Sequence, residues 1–267
     1  MKSAAERPPS DRHDLAAAKA ALESGSGAGV KIAVIDSGVE ADHPRLAKMN
    51  LADSVSFEEK AGRIIAIDDD PGDAYGHGTA VAGIIHELAP EAEIGSFRVI
   101  DSRSLSKTHL ICAGVAAAIE RGYDILNCSF GCRGLAKFIL PHKEWADQAW
   151  LRDIHVVAAC SNHDADEAEW PSHFSSVIGV DLADTPGDEF YYRRGRLVSF
   201  SARGENVEVA WRNGTTLKQT GTSFAAPRIT GLMARLVSVF PHLSAPSMLD
   251  LMANCAESWH PGISSDW

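Results

Sequence analysis

Lys31-Ile-Ala-Val-Ile35 is a continuous apolar run that ends at Asp36-Ser-Gly38. A run that is apolar at every position, and not only at alternate positions, predicts a strand buried on both faces of a parallel sheet. Similar runs recur at 93–100, 123–129, 154–160 and 176–181, and helical patterns lie between them at 79–88, 107–121 and 142–152. Strands and helices that alternate at this spacing predict a doubly wound α/β sheet.

The pattern changes on either side of this alternation. An Ala-rich helix is predicted over 14–23, and two helices, 222–240 and 245–254, follow near the end of the chain. Short extended pieces are predicted at 197–201, 207–211 and 215–219. Because turn residues separate these pieces, we expect them to form antiparallel hairpins.

We divide the chain into three parts: an N-terminal tail and helix (1–28), one principal domain (29–256) and a C-terminal tail (257–267). With 267 residues, 45% of them hydrophobic and 23% charged, the chain has a globular composition and can bury a sizeable core. The net charge of -11 argues against a nucleic-acid partner, since such proteins carry a basic patch or stripe.

The termini and the cysteines bear on location. The segment 1–10 is polar and Pro-rich, without the apolar core of a secretory signal, and no stretch is long and apolar enough to span a membrane. Five cysteines, an odd number, lie mostly in apolar stretches and are typical of a reducing compartment. Cys128 and Cys132 lack a second ligand pair, so no zinc site is predicted. We therefore expect a cytoplasmic protein without a membrane partner.

Three short segments each carry one reactive side chain at a predicted strand end or helix start. Asp36 follows the first strand, His77 stands between two glycines at the start of a helical pattern, and Ser223 opens a long helix. Taken singly, they could be a turn cap, a structural histidine and a helix N-cap. Together they supply what a serine nucleophile needs: an imidazole that takes the hydroxyl proton and a carboxylate that orients the imidazole.

The glycines around these side chains resemble the pattern of a known family. Val34-Ile-Asp36-Ser-Gly38, Gly76-His77-Gly-Thr-Ala-Val-Ala-Gly83 and Gly221-Thr-Ser223-Phe-Ala-Ala-Pro227 are similar to the signature segments of the subtilisin-like serine proteases (subtilase family, peptidase family S8), in the same order. The resemblance covers about 15–254. It implies an α/β, three-layer fold with a mostly parallel central sheet, helices on both faces and C-terminal antiparallel hairpins.

The resemblance also implies roles for individual residues. Ser223 corresponds to the nucleophile, His77 to the general base and then acid, and Asp36 to the orienting carboxylate. Val156-Val-Ala-Ala-Cys-Ser-Asn162 is similar to the strand that delivers the family's oxyanion-hole asparagine, so that role falls to Asn162. We expect peptide hydrolysis through an acyl-enzyme.

Substrate binding is expected to use extended main chain. Ser129-Phe130-Gly131 resembles the family segment that pairs with the peptide and forms one wall of the first specificity pocket. Leu105 and Ser106 lie in the segment that resembles the opposing edge, so a peptide would add as a strand between the two. The loop 162–170 carries four carboxylates, which suggests a basic residue before the cleaved bond; the alternative is a solvated charge run.

No cofactor or metal is expected. The familiar relatives have a calcium-binding insertion after the histidine helix, but here 84–88 passes directly to 89–94, which leaves no room for it. The acidic stretch 68–73 lacks the ligand spacing and closing Glu of an EF-hand loop, so a solvated loop is predicted there.

Three other functions are weighed against peptidase activity. An inactive module that keeps only the peptide groove stays open as the alternative. A dinucleotide-binding enzyme is disfavoured because the glycines 25–29 precede the first strand instead of following it. An α/β-hydrolase elbow is disfavoured because Asn127-Cys-Ser129-Phe-Gly131 lacks the leading glycine. The sequence thus predicts a selective intracellular processing protease that acts on a peptide or protein substrate; it leaves the oligomeric state open.

Overall fold

A ten-stranded, mostly parallel sheet forms the centre of the molecule. The structure, a computed structural model, describes residues 14–68 and 72–260. From one edge to the other the strands are β14 (Glu257–Ser258), β10 (Phe190–Tyr192), β11 (Val198–Arg203), β9 (Ile178–Ala183), β7 (His155–Ala159), β5 (Ile125–Cys128), β1 (Lys31–Asp36), β4 (Glu93–Arg98), β2 (Asn50–Lys60) and β3 (Arg63–Asp68). The six strands from β11 to β4 run parallel to one another, and β2 continues that direction.

Within residues 14–68 and 72–260, six α-helices and two small ribbons surround the sheet. The helices are α1 (Leu15–Ser24), α2 (His77–Leu88), α3 (Thr108–Glu120), α4 (Ile139–Leu151), α5 (Thr222–Val239) and α6 (Ala245–Cys255), with 3₁₀ turns at Pro44–Leu46 and Ala136–Phe138. The ribbons pair β12 (Val207–Trp211) with β13 (Thr215–Gln219) and β6 (Cys132–Arg133) with β8 (Glu169–Trp170). No helix among the described residues combines the length and the apolarity needed to cross a bilayer.

Two cores lie on opposite faces of the sheet, which gives three layers. In β1, Ile32 and Val34 belong to the core under α1, α2, α5 and α6, whereas Ala33 and Ile35 belong to the core under α3 and α4. Both faces of the strand are therefore covered, which explains why its sequence is apolar at every position. Burial of each large aliphatic side chain stabilises the fold by about 1.5–3 kcal/mol.

The predicted alternation of strands and helices is confirmed, with shifts of a few residues at the ends. The strand predicted at 31–35 runs to Asp36, and the helix predicted over 107–121 spans Thr108–Glu120. The helix predicted over 79–88 begins two residues earlier, at His77. That shift places His77, a predicted site residue, in the first turn.

The prediction of hairpins at 197–219 is only partly right. β12 and β13 form the expected antiparallel hairpin, and Asn213 and Gly214 in its turn have positive φ. The piece predicted at 197–201 belongs instead to β11, which pairs in parallel with β9 and antiparallel with β10. Turn residues predict pairing between neighbouring pieces of the chain. β11 is buried along almost its whole length, and this burial is available to it within the central sheet.

The hairpin of β2 and β3 at the far edge of the sheet was not predicted. Its turn places Ala61 and Gly62 at φ of 51° and 72°, and Ala-Gly is not one of the dipeptides that signal such a turn. β3 is exposed along nearly all its length, so it has no alternation of apolar and polar residues to detect.

The flanking segments pack onto the principal domain where they are described. Ala18 and Ala21 of α1 are buried in the same core as α5, and β14 adds a parallel strand beside β10. The predicted boundaries at 28 and 256 stay predictions, and residues 1–13 and 261–267 lie outside the described residues.

Candidate active site

Asp36 lies at the carboxyl end of β1, fully buried. β1 lies between β4 and β5 and runs parallel to both, so the three strands end at the same edge of the sheet, where α/β proteins gather their functional groups. The Ser37 N–H donates to Asp36 Oδ1 at 2.7 Å. This hydrogen bond helps to offset the cost of burying the carboxylate.

His77 is the first residue of α2, and its ring lies directly over Asp36. Nδ1 is 2.9 Å from each carboxylate oxygen of Asp36, and 16% of the histidine side chain is exposed. Burial opposes a charged imidazole, but the charge and hydrogen bond of Asp36, with a smaller contribution from Asp73, outweigh it and raise the pKa of His77. The bond to Asp36 leaves Nε2 as the nitrogen available to a substrate or nucleophile.

Asp73 holds the start of α2, a role that the sequence analysis missed. Its Oδ1 accepts from the N–H groups of Tyr75 at 2.9 Å and Gly76 at 2.7 Å, and from Ser37 Oγ at 2.8 Å. Its Oδ2 accepts from Thr79 N at 2.8 Å and Thr79 Oγ1 at 2.6 Å. An Asp a few residues before a helical pattern is the signal that could have found this cap.

The solvated loop predicted over 68–73 stays a prediction, because the structure describes only residues 68, 72 and 73 of that stretch. Asp68 accepts from Arg121 Nη2 at 2.6 Å, and Asp73 is committed to α2 as described. Residues 69–71 of the stretch lie outside the described residues.

Glycines on both sides of His77 permit close packing around it. Gly76 has φ of +112°, and a Cβ there would stand 2.6 Å from Trp211 Nε1. A Cβ at Gly78 would stand 2.1 Å from the Gly38 carbonyl oxygen and 3.2 Å from Asp36 Cβ. A side chain at Gly76 would therefore overlap Trp211, and one at Gly78 would overlap the backbone that follows Asp36.

Ser223 is the second residue of α5, which packs beside α2. The ring of the next residue, Phe224, lies 5.4 Å from the His77 ring, centroid to centroid. Within the described residues, the Ser223 hydroxyl makes no hydrogen bond to His77 or to any other group. The structure thus joins Asp36 to His77 and brings Ser223 to the same helix junction.

Asn162 reaches the same helix start from the segment after β7. Its Oδ1 accepts from Thr222 N at 2.8 Å and from Thr222 Oγ1 at 3.1 Å. Asn162 Oδ1 and Ser223 Oγ lie 3.2 and 3.5 Å from the point where a Cβ at Gly221 would stand. Because Oδ1 is occupied, Nδ2 is left as a donor beside Ser223, whose own N–H has no intrahelical acceptor.

The predicted substrate-binding residues lie on two separate segments. Ser129 follows β5 and is buried, with its Oγ accepting from Asn127 Nδ2 at 2.8 Å, whereas Phe130 is half-buried and Gly131 is exposed. Leu105 is exposed, and Ser106 Oγ donates to the Val99 carbonyl oxygen at 2.6 Å. Leu105 and Ser106 border a cavity of about 510 Å³ whose lining includes Ala74, three residues before His77.

The cysteines are all free thiols, at Cys112, Cys128, Cys132, Cys160 and Cys255. Burial raises the pKa of the Cys128 and Cys160 thiols, and that of Cys132 to about 11. Across residues 14–68 and 72–260, no group of three or more His, Cys, Asp or Glu side chains is arranged to hold a metal ion.

Comparison with known proteins relates this geometry to a family. A profile described as the subtilase family (peptidase S8) matches residues 27–265. Subtilisin DY of Bacillus licheniformis is 27% identical over 256 residues, which cover 91% of this chain and 89% of that protein. Thermitase of Thermoactinomyces vulgaris is 27% identical, with 82% of this chain and 78% of that protein covered.

Solved structures agree on the fold. Sphericase superposes with a TM-score of 0.72 at 22% identity, over 89% of this chain and 88% of that one. A cold-adapted subtilisin-like serine proteinase superposes with a TM-score of 0.69 at 23% identity, over 86% of this chain and 83% of that one. With the profile match over most of its length, the chain belongs to the subtilase family and is a subtilisin-like serine endopeptidase.

Proposed function

We propose that Ser223, His77 and Asp36 form the catalytic triad of this endopeptidase. The observation that carries the proposal is the contact of His77 Nδ1 with both oxygens of the buried Asp36, 2.9 Å each, at the helix start that adjoins Ser223. A buried carboxylate in this position fixes the ring orientation and stabilises the imidazolium that forms during reaction. Contact between serine and histidine is often loose without substrate and tightens when substrate binds.

In the proposed reaction, Ser223 Oγ attacks the carbonyl carbon of the scissile bond while its proton passes to His77 Nε2. The negative oxygen of the tetrahedral intermediate accepts hydrogen bonds from Asn162 Nδ2 and the Ser223 N–H. His77 then gives the proton to the leaving amine, and the C–N bond breaks to leave an acyl-enzyme. A water molecule, deprotonated by His77, releases the acid and restores the serine.

The substrate main chain is proposed to lie between 129–131 and the segment that holds Leu105 and Ser106. Gly131 is exposed beside the end of β5, and Leu105 is exposed beside the cavity near Ala74. These placements support an extended peptide that adds as a strand, with main-chain hydrogen bonds for affinity.

Labelling with a fluorophosphonate probe tests the nucleophile. We expect the probe to label the wild-type protein on Ser223 and to leave Ser223→Ala unlabelled, and peptide cleavage by that variant to fall by several orders of magnitude. Ser24→Ala, which removes an exposed hydroxyl on α1, is the control and should behave as wild type. Labelling that persists in Ser223→Ala would refute the assignment. A folded wild-type protein that binds peptides without labelling or cleavage would instead be an inactive peptide-binding module.

We further propose a selective processing role in the cytoplasm. The five unpaired thiols support a reducing compartment. Mass spectrometry of cleavages in a peptide library, with Ser223→Ala as the blank, would show a few dominant sites for a processing enzyme and many for a degradative one. Fractionation of expressing cells, with the protein recovered outside the cytosolic fraction, would contradict the location.

A further inference from the structure

The space beside Ser223 is bordered by segments that leave two neighbouring strands. β5 and β7 are adjacent and parallel, with Cys128 opposite Ala158, so 129–131 and 160–162 leave the same edge of the sheet side by side. The second segment is tied to the start of α5, because Thr222 Oγ1 donates to the Cys160 carbonyl oxygen at 2.7 Å. The segment 129–131 therefore leaves the sheet beside the segment that is bonded to the start of α5.

The loop from Asn162 returns onto this edge at Glu169. Glu169 belongs to β8, which pairs with β6 directly after Gly131. A Cβ at Gly131 would stand 2.4 Å from Glu169 Cδ and 2.5 Å from Oε2, so the carboxyl group lies directly against the Gly131 backbone. A side chain at 131 would have to displace this carboxyl group from its position.

The four carboxylates of the loop differ in their surroundings. Asp164, Asp166 and Glu167 are exposed. Asp166 is paired with Arg196 at 2.7 Å, and Asp164 caps its own turn by accepting from Asp166 N at 2.8 Å. Glu169 is half-buried, so the loop presents one sheltered carboxylate and three solvated or paired ones.

Glu169 has no ion-pair partner among the residues that the structure describes, and the cation that acts on it from a distance is His163. Its carboxyl group takes part in no ion pair and accepts no hydrogen bond there, and Arg133, its cross-strand neighbour, makes no ion pair with it. Burial, with a smaller contribution from the charge of Glu167, raises the pKa of Glu169, and the opposing charge of His163 offsets only part of this effect. A sheltered carboxylate without a partner is unfavourable, and a cation brought beside it would relieve that cost.

We propose that Glu169 is the specificity-determining residue of this endopeptidase and selects substrates with Lys or Arg before the scissile bond. The inference rests on the proposed function, since it places the substrate main chain along 129–131. Glu169 is assigned a binding role and no part in bond breaking. The ammonium or guanidinium group of the substrate side chain would pair with the carboxylate beside Gly131.

Matched peptides test the proposal. We would measure kcat/KM for quenched peptides that differ only in Arg, Lys, Phe, Leu or Glu before the cleaved bond. Arg and Lys are expected to lead, and Glu169→Gln is expected to lower kcat/KM for Arg and Lys by about 10- to 100-fold while changing Phe and Leu little. Glu169→Lys should shift the preference toward Glu.

Glu167→Gln is the matched comparison, because it removes the same charge from an exposed position of the same loop. It should keep the ratio of Arg to Phe cleavage. If it lowers that ratio as much as Glu169→Gln, the net charge of the loop selects the substrate and the assignment to Glu169 is wrong. A wild-type enzyme that prefers Phe or Leu would also overturn it.

Two further readouts separate this inference from the proposed function. Fluorophosphonate labelling of every variant reports whether Ser223 is reactive, so a labelled enzyme without basic preference would refute only the inference. Fluorescence anisotropy with the same peptides on Ser223→Ala measures selectivity without chemistry. Equal affinity for the Arg and Phe peptides there would overturn the role of Glu169 even if no variant cleaved.

Discussion

At the scale of single residues, opposing forces act on the His77 imidazole. Its burial favours the neutral ring, whereas Asp36 at 2.9 Å and the more distant Asp73 favour the charged ring, and the two carboxylates prevail. A general base must be neutral to accept a proton. The enzyme therefore loses its base as the pH falls through the raised pKa of His77.

We expect kcat/KM to rise with pH along a limb whose midpoint lies above 6.5, the ordinary value for histidine. Asp36→Asn removes the charge that raises the pKa, so it should move this limb to lower pH and also reduce kcat. Initial rates across the pH range, with folding followed by circular dichroism, provide the measurement. A wild-type limb at or below 6.5 would contradict the electrostatic account.

Asp73 is expected to act on His77 through the start of α2. Asp73→Ala removes the acceptor of five hydrogen bonds and should lower the free energy of unfolding by about 1–3 kcal/mol. It should also lower kcat, because His77 is the first residue of the helix that these bonds fix. Asp73→Asn keeps one oxygen acceptor, so its free energy of unfolding and its kcat should both lie between those of wild type and Asp73→Ala.

Asp14 provides the control, since it caps α1 by accepting from Ala16 N and Ala17 N at 3.0 Å each. Asp14→Ala should cost about 1 kcal/mol of stability without a change in kcat. Equal kcat for Asp73→Ala and wild type, measured well below the unfolding temperature, would reduce Asp73 to a purely structural cap.

At the scale of elements, the β12–β13 hairpin supports the start of α2. Val207 and Val209 pack with Ala80, Ile84 and Phe224 in a small separate core. The Trp211 indole lies over Gly76 and edge-on to Tyr75, with the latter ring 5.6 Å away. The hairpin therefore forms the outer wall of the turn that delivers His77.

Gly76→Ala is expected to disturb this junction. Its Cβ would meet the Trp211 ring at 2.6–2.9 Å and would also stand on backbone with φ of +112°. We expect the left-handed backbone to cost about 1–2 kcal/mol and the steric overlap about 1–3 kcal/mol. Because His77 is the next residue, kcat should fall as well.

Gly122→Ala separates the cost of the left-handed backbone from the cost of steric overlap. Gly122 also has positive φ, +75°, but a Cβ there would meet nothing within 4 Å. Gly122→Ala should lower the free energy of unfolding by the backbone cost alone and leave kcat unchanged. Chemical denaturation of both variants gives the comparison, and equal losses would mean that Trp211 yields to the added methyl group.

At the scale of the whole molecule, Arg235 ties three helices together. Its Nε donates to the Leu88 carbonyl oxygen at the end of α2, at 2.6 Å, and its Nη1 donates to the Leu22 carbonyl oxygen in α1. Carbonyl groups in the last turn of a helix lack intrahelical partners, so this arginine satisfies groups that would otherwise need water. It lies about three turns along α5 from Ser223.

Arg235→Ala should lower the stability of the fold and leave the catalytic rate intact. Losing two hydrogen bonds from a charged donor is expected to cost about 1–3 kcal/mol, which lowers Tm by about 2–4 °C per kcal/mol. Arg235→Lys keeps a cation with fewer fixed donors and should recover part of the loss. Calorimetry, together with activity assays at moderate temperature, provides the test. If α1 of the wild-type protein unfolded in a separate transition at lower temperature, Arg235 would not couple α1 to the rest of the fold.

Sequence alone predicted the candidate reactive side chains and most of the elements that carry them. Asp36, His77 and Ser223 were proposed because three short segments, with an apolar run or flanking glycines around each residue, occur together in the order of a known family. Asp73 could have been found from the same kind of local signal. These patterns are readable because each depends on a few consecutive residues.

Tertiary structure decided what depends on residues far apart in the chain. It placed β11 beside β9, paired the exposed β3 with β2, and set the carboxyl group of Glu169 against Gly131, nearly forty residues earlier. Such pairings are selected by burial and strand register summed over the whole domain, and no short stretch of sequence encodes that sum. Short stretches of sequence therefore predict the candidate site residues. The arrangement of the segments around them depends on the tertiary structure, because it is set by contacts between distant parts of the chain.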